Sequence, residues 1–152
     1  MIYTIGHGGT KVDKVIERME ALGIEILVDV RTKPFSRWQP EFNLAKLRDR
    51  LGEAYLWRKD LGGLGDEITD ESLEWLVRFA ATRNVVIMCS ERDPHKCHRH
   101  HKIATRLWLR TPRVPVIHLR HNGTQHPAFS DGDAPAHPLK PAQTTMLSLF
   151  SL

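Results

Sequence analysis

Apolar residues fall along this chain in two alternating patterns: short unbroken runs, and longer stretches in which they recur every three or four positions. The first pattern reads as strands covered on both faces, the second as helices with one buried face. Residues 2–5 open as a strand, and the Gly6-His7-Gly8-Gly9 turn leads to Thr10, a suitable N-cap. Val12, Val15, Ile16, Met19 and Leu22 then share a helical face that Gly23 terminates. Residues 24–30 form a second apolar run. Leu44, Leu47 and Leu51 predict a helix over 41–51 ended by Gly52, and 54–57 is a third strand. Beyond a glycine-rich loop at 60–65, a helix starting at Thr69 or Asp70 buries Leu73, Leu76, Val77 and Ala80. Residues 85–89 are the clearest strand. Asp93 and Pro94 suit the N-cap and first position of a helix reaching about Leu109, with Ile103, Ala104 and Leu107 inward. A fifth strand covers 114–119, where Pro115 either marks a sheet edge or delays the start.

Such alternation predicts an α/β fold: an open, mainly parallel sheet of about five strands with helices on both faces, because parallel neighbours need crossover connections. Its domain spans residues 1–120. From His121 the periodicity fails, and Pro127, Pro135, Pro138 and Pro141 interrupt a polar stretch, so 121–152 reads as an extended tail. A length of 152 residues suffices for one such domain and not for two. No apolar run is long enough to cross a bilayer, and the first residues lack the features of a secretory signal, which points to the cytoplasm. Two cysteines exclude a disulfide scaffold. A net charge of +4 admits an anionic partner without requiring one.

In an open parallel sheet, ligands bind beyond the carboxyl ends of the strands, so the loops there are the place to seek chemistry. The first holds Gly6 and His7; the second Asp29, Arg31, Ser36 and Arg37; the third Gly62 and Gly63. The fourth opens on Cys89 and runs through Ser90, Glu91, Arg92 and Asp93. Arg31, Arg37 and Arg99 suit a bidentate grip on phosphate or carboxylate, with pairing between neighbours such as Asp29 and Arg31 as the alternative. Cys89 ends an apolar strand ahead of a helix start whose free N–H groups favour a thiolate or a bound anion. That plan resembles the loops of cysteine phosphatases and rhodanese-type sulfurtransferases, although neither Arg92 nor Arg99 has the phosphatase spacing from Cys89. A cysteine that merely packs is the alternative. Cys89, Cys97 and a histidine of the Cys97-His98-Arg99-His100-His101 run are also soft ligands for zinc. Yet no CxxC or HxxxH pair is present, and successive helical residues point about 100° apart. Cys97 and His101, one turn apart, could share a face. The preferred reading has no cofactor: a basic helix start beside an anion site, with His98 as acid or base.

Thr4-Ile5-Gly6-His7, Val28-Asp29-Val30-Arg31, Leu61-Gly62-Gly63, Met88-Cys89-Ser90-Glu91 and Cys97-His98-Arg99, in that order, resemble the DUF488 family, small proteins marked by a Cys, a spacer and Cys-His-Arg. The resemblance implies that Cys89, Glu91, Cys97, His98 and Arg99 form a functional cluster. It implies no reaction.

Met146-Leu147-Ser148-Leu149-Phe150 resembles the peptide by which bacterial repair and replication proteins dock in the DNA sliding clamp, with Met146 in place of the usual Gln. Gln143 supplies instead the spacing of the related eukaryotic and archaeal box. The alternative is that Leu147, Leu149 and Phe150 fold onto the domain's own core. Two functions are consistent with these features. One is a Cys-dependent hydrolase or transferase acting on a phosphorylated, nucleotide or nucleic-acid anion: Cys89 as nucleophile, His98 as proton carrier, and Asp29 or Glu91 orienting. His7, Arg31, Arg37, Gly62, Gly63, Cys97 and Arg99 line its pocket. The other is a non-catalytic binding module of DNA metabolism, to which Trp38 and Trp57 near arginines would contribute stacking surfaces.

Overall fold

A computed structural model describes residues 1–133. The chain runs β1 (Ile2–Gly6), α1 (Val12–Leu22), β2 (Ile26–Asp29), α2 (Leu44–Leu51), β3 (Tyr55–Trp57), α3 (Asp70–Ala81), β4 (Val85–Cys89), α4 (Thr105–Leu109), β5 (Val116–Leu119) and β6 (Gln125–Pro127). These strands form one sheet in the order β3-β2-β4-β1-β5-β6, parallel except for the antiparallel edge strand β6. The expected open α/β sheet is present, with one strand more than the five expected.

Alternation along the strands divides the core. Tyr3, Ile5, Leu27, Val86 and Met88 pack under α1 and α2, while Ile2, Val28, Val85, Ile87 and Cys89 pack under α3 and α4. Each central strand is therefore apolar on both faces, which is why it read as an unbroken run. The helices after β1 and β4 lie on opposite faces, although these two strands are neighbours. Their connections diverge there, leaving a crevice at their carboxyl ends.

Local chemistry moves several boundaries. Lys11, not Thr10, occupies the N-cap of α1, with no side-chain bond; the Thr10 carbonyl accepts instead from Gln39 Nε2 at 2.8 Å. The helix expected over 41–51 is a 3₁₀ turn, Pro40–Phe42, followed by α2, because Asn43 between them is extended and its Oδ1 accepts from Ser36 N–H. The helix expected from Thr69 or Asp70 starts at Asp70, and Thr69 caps it, accepting from Ser72 N–H at 3.1 Å. The largest correction concerns the single helix expected from Asp93 to about Leu109. Asp93 does cap a turn, Pro94–Lys96, but Cys97 is extended at φ −128°, ψ 148°. A π-helical segment, Arg99–Ala104, then precedes α4.

Pro115 precedes β5, which pairs with β1 and β6 and is no edge strand. Within the segment read as a tail, β6 hydrogen-bonds to β5; its exposed residues and Pro127 carry no strand signal, since an edge strand buries little. Gln143, Met146, Leu147, Leu149 and Phe150 lie outside the described residues. Among the described residues no helix is long and apolar enough to cross a membrane.

Candidate active site

At the carboxyl ends of β1, β2 and β4 lies an open hollow of about 380 Å³. Two backbone bonds extend the β1–β4 pairing past the strand ends: His7 N–H to the Cys89 carbonyl at 2.9 Å, and Gly8 N–H to the Ser90 carbonyl at 3.0 Å. Residues 90–92 thereby cross directly over β1. A Cβ at position 6 would stand 1.9 Å from the Glu91 carbonyl oxygen, so only glycine admits this crossing.

Cys89, Cys97 and His98 meet at the floor of the hollow. Cys89 Sγ is 3.7 Å and Cys97 Sγ 3.6 Å from the same ring nitrogen, His98 Nδ1, and the three atoms lie within 4.8 Å of one another. His98 Nε2 faces the carbonyls of Val30 and Leu61 at 3.1 and 3.0 Å. Carbonyls only accept, so Nε2 carries a proton and Nδ1 is the nitrogen free to exchange one with sulfur. This arrangement divides the thiols. A hydrogen bond from Cys97, contact with His98 and the Glu91 backbone N–H hold Cys89 far below the ordinary thiol range, against the opposing effect of burial. Cys97, facing that thiolate and buried, is pushed up. A thiolate beside a thiol and an imidazole that can carry the shared proton is the resulting state. Cys89 owes its low pKa to these neighbours, since no α-helix begins at the strand end; the chain continues there as a loop and a three-residue turn.

His7, Arg31 and Asp29 form the adjoining wall, one residue behind another. Asp29, fully buried, accepts from Arg31 Nε at 2.9 Å, Arg31 Nη2 at 2.6 Å and Tyr55 Oη at 2.6 Å. Arg31 Nη1 in turn lies 3.2 Å from His7 Nε2. Gln39 donates its amide to the His7 and Thr10 carbonyls, which leaves its Oε1 to accept from His7 Nδ1 at 3.0 Å. His7 is thus protonated on Nδ1 and neutral, and burial followed by the Arg31 charge lowers its pKa. Arg31 and His7 reach the hollow; Asp29 holds them from behind.

The DUF488 family model, whose description is a domain of unknown function, matches residues 11–70 and 64–104. The chain belongs to the DUF488 family. No curated protein and no solved structure matches it. The matched span contains Asp29, Arg31, Gly62, Gly63 and the whole Cys89-to-Arg99 stretch, whereas His7 precedes it.

Other sequence-derived candidates in this DUF488 domain stand elsewhere than expected. Arg99 is completely buried and away from the hollow, bonded from Nε to Thr4 Oγ1, from Nη1 to the Glu91 carbonyl and from Nη2 to the Arg92 carbonyl. It holds the 90–92 crossing in place and, buried outside the lining of the hollow, does not reach a substrate there. Glu91 does reach the hollow, but its carboxylate accepts from Asp93 N–H at 3.0 Å, not from His98. Arg37 is exposed and does not line the hollow. Gly63 does line the hollow, but both glycines also make room for protein: a Cβ at 62 would stand 2.4 Å from Thr32 Oγ1, and one at 63 would stand 2.6 Å from the His98 ring. Trp57 Nε1 donates to the Arg31 carbonyl at 2.9 Å, a packing role, while Trp38 is 88% exposed.

Sequence reading missed Lys33, Phe35 and Lys96, which line the hollow, with Phe35 71% exposed. Their signal was position, in the loops after β2 and β4. Gln39 and Tyr55 offered none, for their work is to orient His7 and Asp29 across the fold. Cys89, Cys97 and His98 also present two sulfurs and one nitrogen to a common point, a donor set that a soft cation such as zinc could take, with the His98 Nε2–H anchored on carbonyls behind it.

Proposed function

We propose that this DUF488 protein is a Cys-dependent transferase or hydrolase that takes an anion-bearing substrate into the hollow, a phosphorylated or nucleotide-like molecule being the class first suggested by the sequence. One observation carries the reading: a single imidazole nitrogen stands against two thiols while the other ring nitrogen is tied to carbonyls. Cys89 attacks the electrophilic centre of the substrate, and its former proton, held on His98 Nδ1, passes to the leaving group. The group left on Cys89 then moves to water or to an acceptor. Lys33 and Lys96 supply positive charge around the hollow, where Arg31 is already paired with Asp29, and the exposed Phe35 ring offers an apolar face beside it. Zinc analysis separates this from a metal-centre reading: the purified protein should carry less than about a tenth of an equivalent, and a full equivalent would favour the metal.

The decisive experiment is the rate of iodoacetamide labelling at Cys89 between pH 5 and 9. A Cys89 thiolate held by Cys97 and His98 labels nearly as fast at pH 6 as at pH 8, whereas an ordinary thiol slows about tenfold per pH unit below its pKa of about 8.5. The ordinary profile at Cys89 would overturn the proposal.

A further inference from the structure

Beyond its hydrogen bond to the Cys89 thiolate, Cys97 takes no step in a mechanism of one nucleophile and one proton carrier, yet it lies as close to His98 Nδ1 as Cys89 does. Both sulfurs line the open hollow, and they are the chain's only cysteines, both free. Their meeting depends on the backbone break between the turn and the π-helix. Cys97 sits extended there, its N–H on the Pro94 carbonyl and its own carbonyl accepting from His100 and His101 N–H. Packing at that break does not by itself call for a second thiol.

Building on the reading of Cys89 as nucleophile, we infer that Cys97 is its resolving thiol, and that the electrophile taken into the hollow is the sulfur of a disulfide bearing anionic groups. The Cys89 thiolate attacks one sulfur of R–S–S–R′, forming Cys89–S–S–R and expelling R′S⁻, which takes the proton from His98 Nδ1. The now neutral Nδ1 accepts the proton of Cys97. The Cys97 thiolate attacks Cys89 Sγ, closing the internal disulfide and expelling RS⁻, which leaves with that proton. In sum, one external disulfide is reduced to RSH and R′SH while two protein thiols become a disulfide. A dithiol reductant restores the thiols by the same exchange in reverse. His98 serves both steps because its one exchangeable nitrogen faces both sulfurs. Forming the bond requires the sulfurs to close from within 4.8 Å to about 2.05 Å, a movement for the side chains of two residues at a strand end and in a loop break. Lys33 and Lys96 beside the hollow select a disulfide carrying carboxylates or phosphates.

Oxidised glutathione, a disulfide rich in carboxylates, is the probe. The full-length protein is mixed with it at neutral pH, quenched with acid over time, and followed by intact mass and peptide mapping. The wild type should lose two hydrogens and yield a Cys89–Cys97 crosslinked peptide, with any glutathione adduct on Cys89 decaying at least about tenfold faster than in Cys97→Ser. The Cys97→Ser variant should stop at that adduct, and Cys89→Ser should form neither product at a comparable rate. If the wild-type adduct persists as long as in Cys97→Ser and no crosslink forms, the inference fails. Should Cys97→Ser fail to fold, the wild-type products decide alone: crosslinked peptide for the inference, a lasting adduct or no reaction against it. Iodoacetamide labelling keeps the two failures apart: rapid labelling at pH 6 without a crosslink removes only the resolving role, while slow labelling removes the thiolate nucleophile itself.

Discussion

His98 is held by three contacts from two parts of the chain, the Val30 carbonyl on one side and the Leu61 carbonyl and the face of Gly63 on the other. A methyl group at position 63 would overlap the ring, and the ring can yield only by giving up its bonds to those carbonyls. Gly63→Ala should therefore cost about 1–3 kcal/mol in urea unfolding and move the labelling profile of Cys89 to higher pH. An unchanged profile would mean that His98 does not set the state of Cys89. Arg99 poses a different test. Its guanidinium is fully buried on two carbonyls and a hydroxyl, with no carboxylate among its hydrogen-bond partners. Arg99→Met should destabilise by about 3 kcal/mol in urea, leaving the Glu91 and Arg92 carbonyls without their donor; Arg99→Lys should recover less than half, because one ammonium cannot span the three acceptors.

Among the elements, β5 and the π-helix carry a second buried polar chain. Arg99 Nε reaches Thr4 Oγ1, which lies 2.6 Å from His118 Nδ1, and His118 Nε2 lies 2.9 Å from His100 Nδ1. Burial, reinforced by the neighbouring histidines and Arg99, lowers His118 to about 3 and His100 to about 4. Both rings are neutral in the fold, while the unfolded chain binds protons below about pH 6.5. Their contribution is therefore complete above pH 6.5 and lost as the pH falls toward 4, with about 2 kcal/mol lost per ring by pH 5. Thermal midpoints measured from pH 7 to 5 should fall, and His118→Gln, though less stable at pH 7, should show a flatter dependence; parallel curves would contradict the account. The helix caps are simpler. Thr69→Ala should cost about 1 kcal/mol through the lost bond to Ser72 N–H, measured by chemical unfolding.

For the whole molecule, the divergence of the β1 and β4 connections opens the hollow, which the loops after β2 and β3 also line, and the 90–92 crossing makes the placement of its groups sensitive to backbone contact. Gly6→Ala meets a carbonyl oxygen at 1.9 Å, backbone against backbone, so it should lose more stability than Gly63→Ala, where a side chain can move. Comparison of the two urea midpoints checks the order. Recruitment to the sliding clamp is a proposal of the sequence alone, carried by Met146-Leu147-Ser148-Leu149-Phe150 and Gln143. Removing residues 143–152 should abolish retention on immobilised clamp while leaving Cys89 labelling unchanged; equal retention of both forms would reject docking.

The alternation of apolar runs and helical faces determined the sheet class, the strands under both helical layers, and the loops in which to look, because burial on two faces or one leaves a period that can be read residue by residue. The order of five short motifs likewise marked the family and put Cys89, Cys97 and His98 among the candidates, beside Glu91 and Arg99. Which polar groups converge was another matter. The periodicity of residues 93–109 predicts a single helix, whereas the extended break at Cys97 and the π-helical turn set both thiols against one imidazole nitrogen and turn Arg99 inward. The roles of Gln39, Tyr55 and Gly63 likewise arise from partners far off in sequence. Hydrophobic periodicity reports what each segment buries; the bonding of a polar side chain depends on donors and acceptors that distant segments deliver, and only the folded arrangement supplies them.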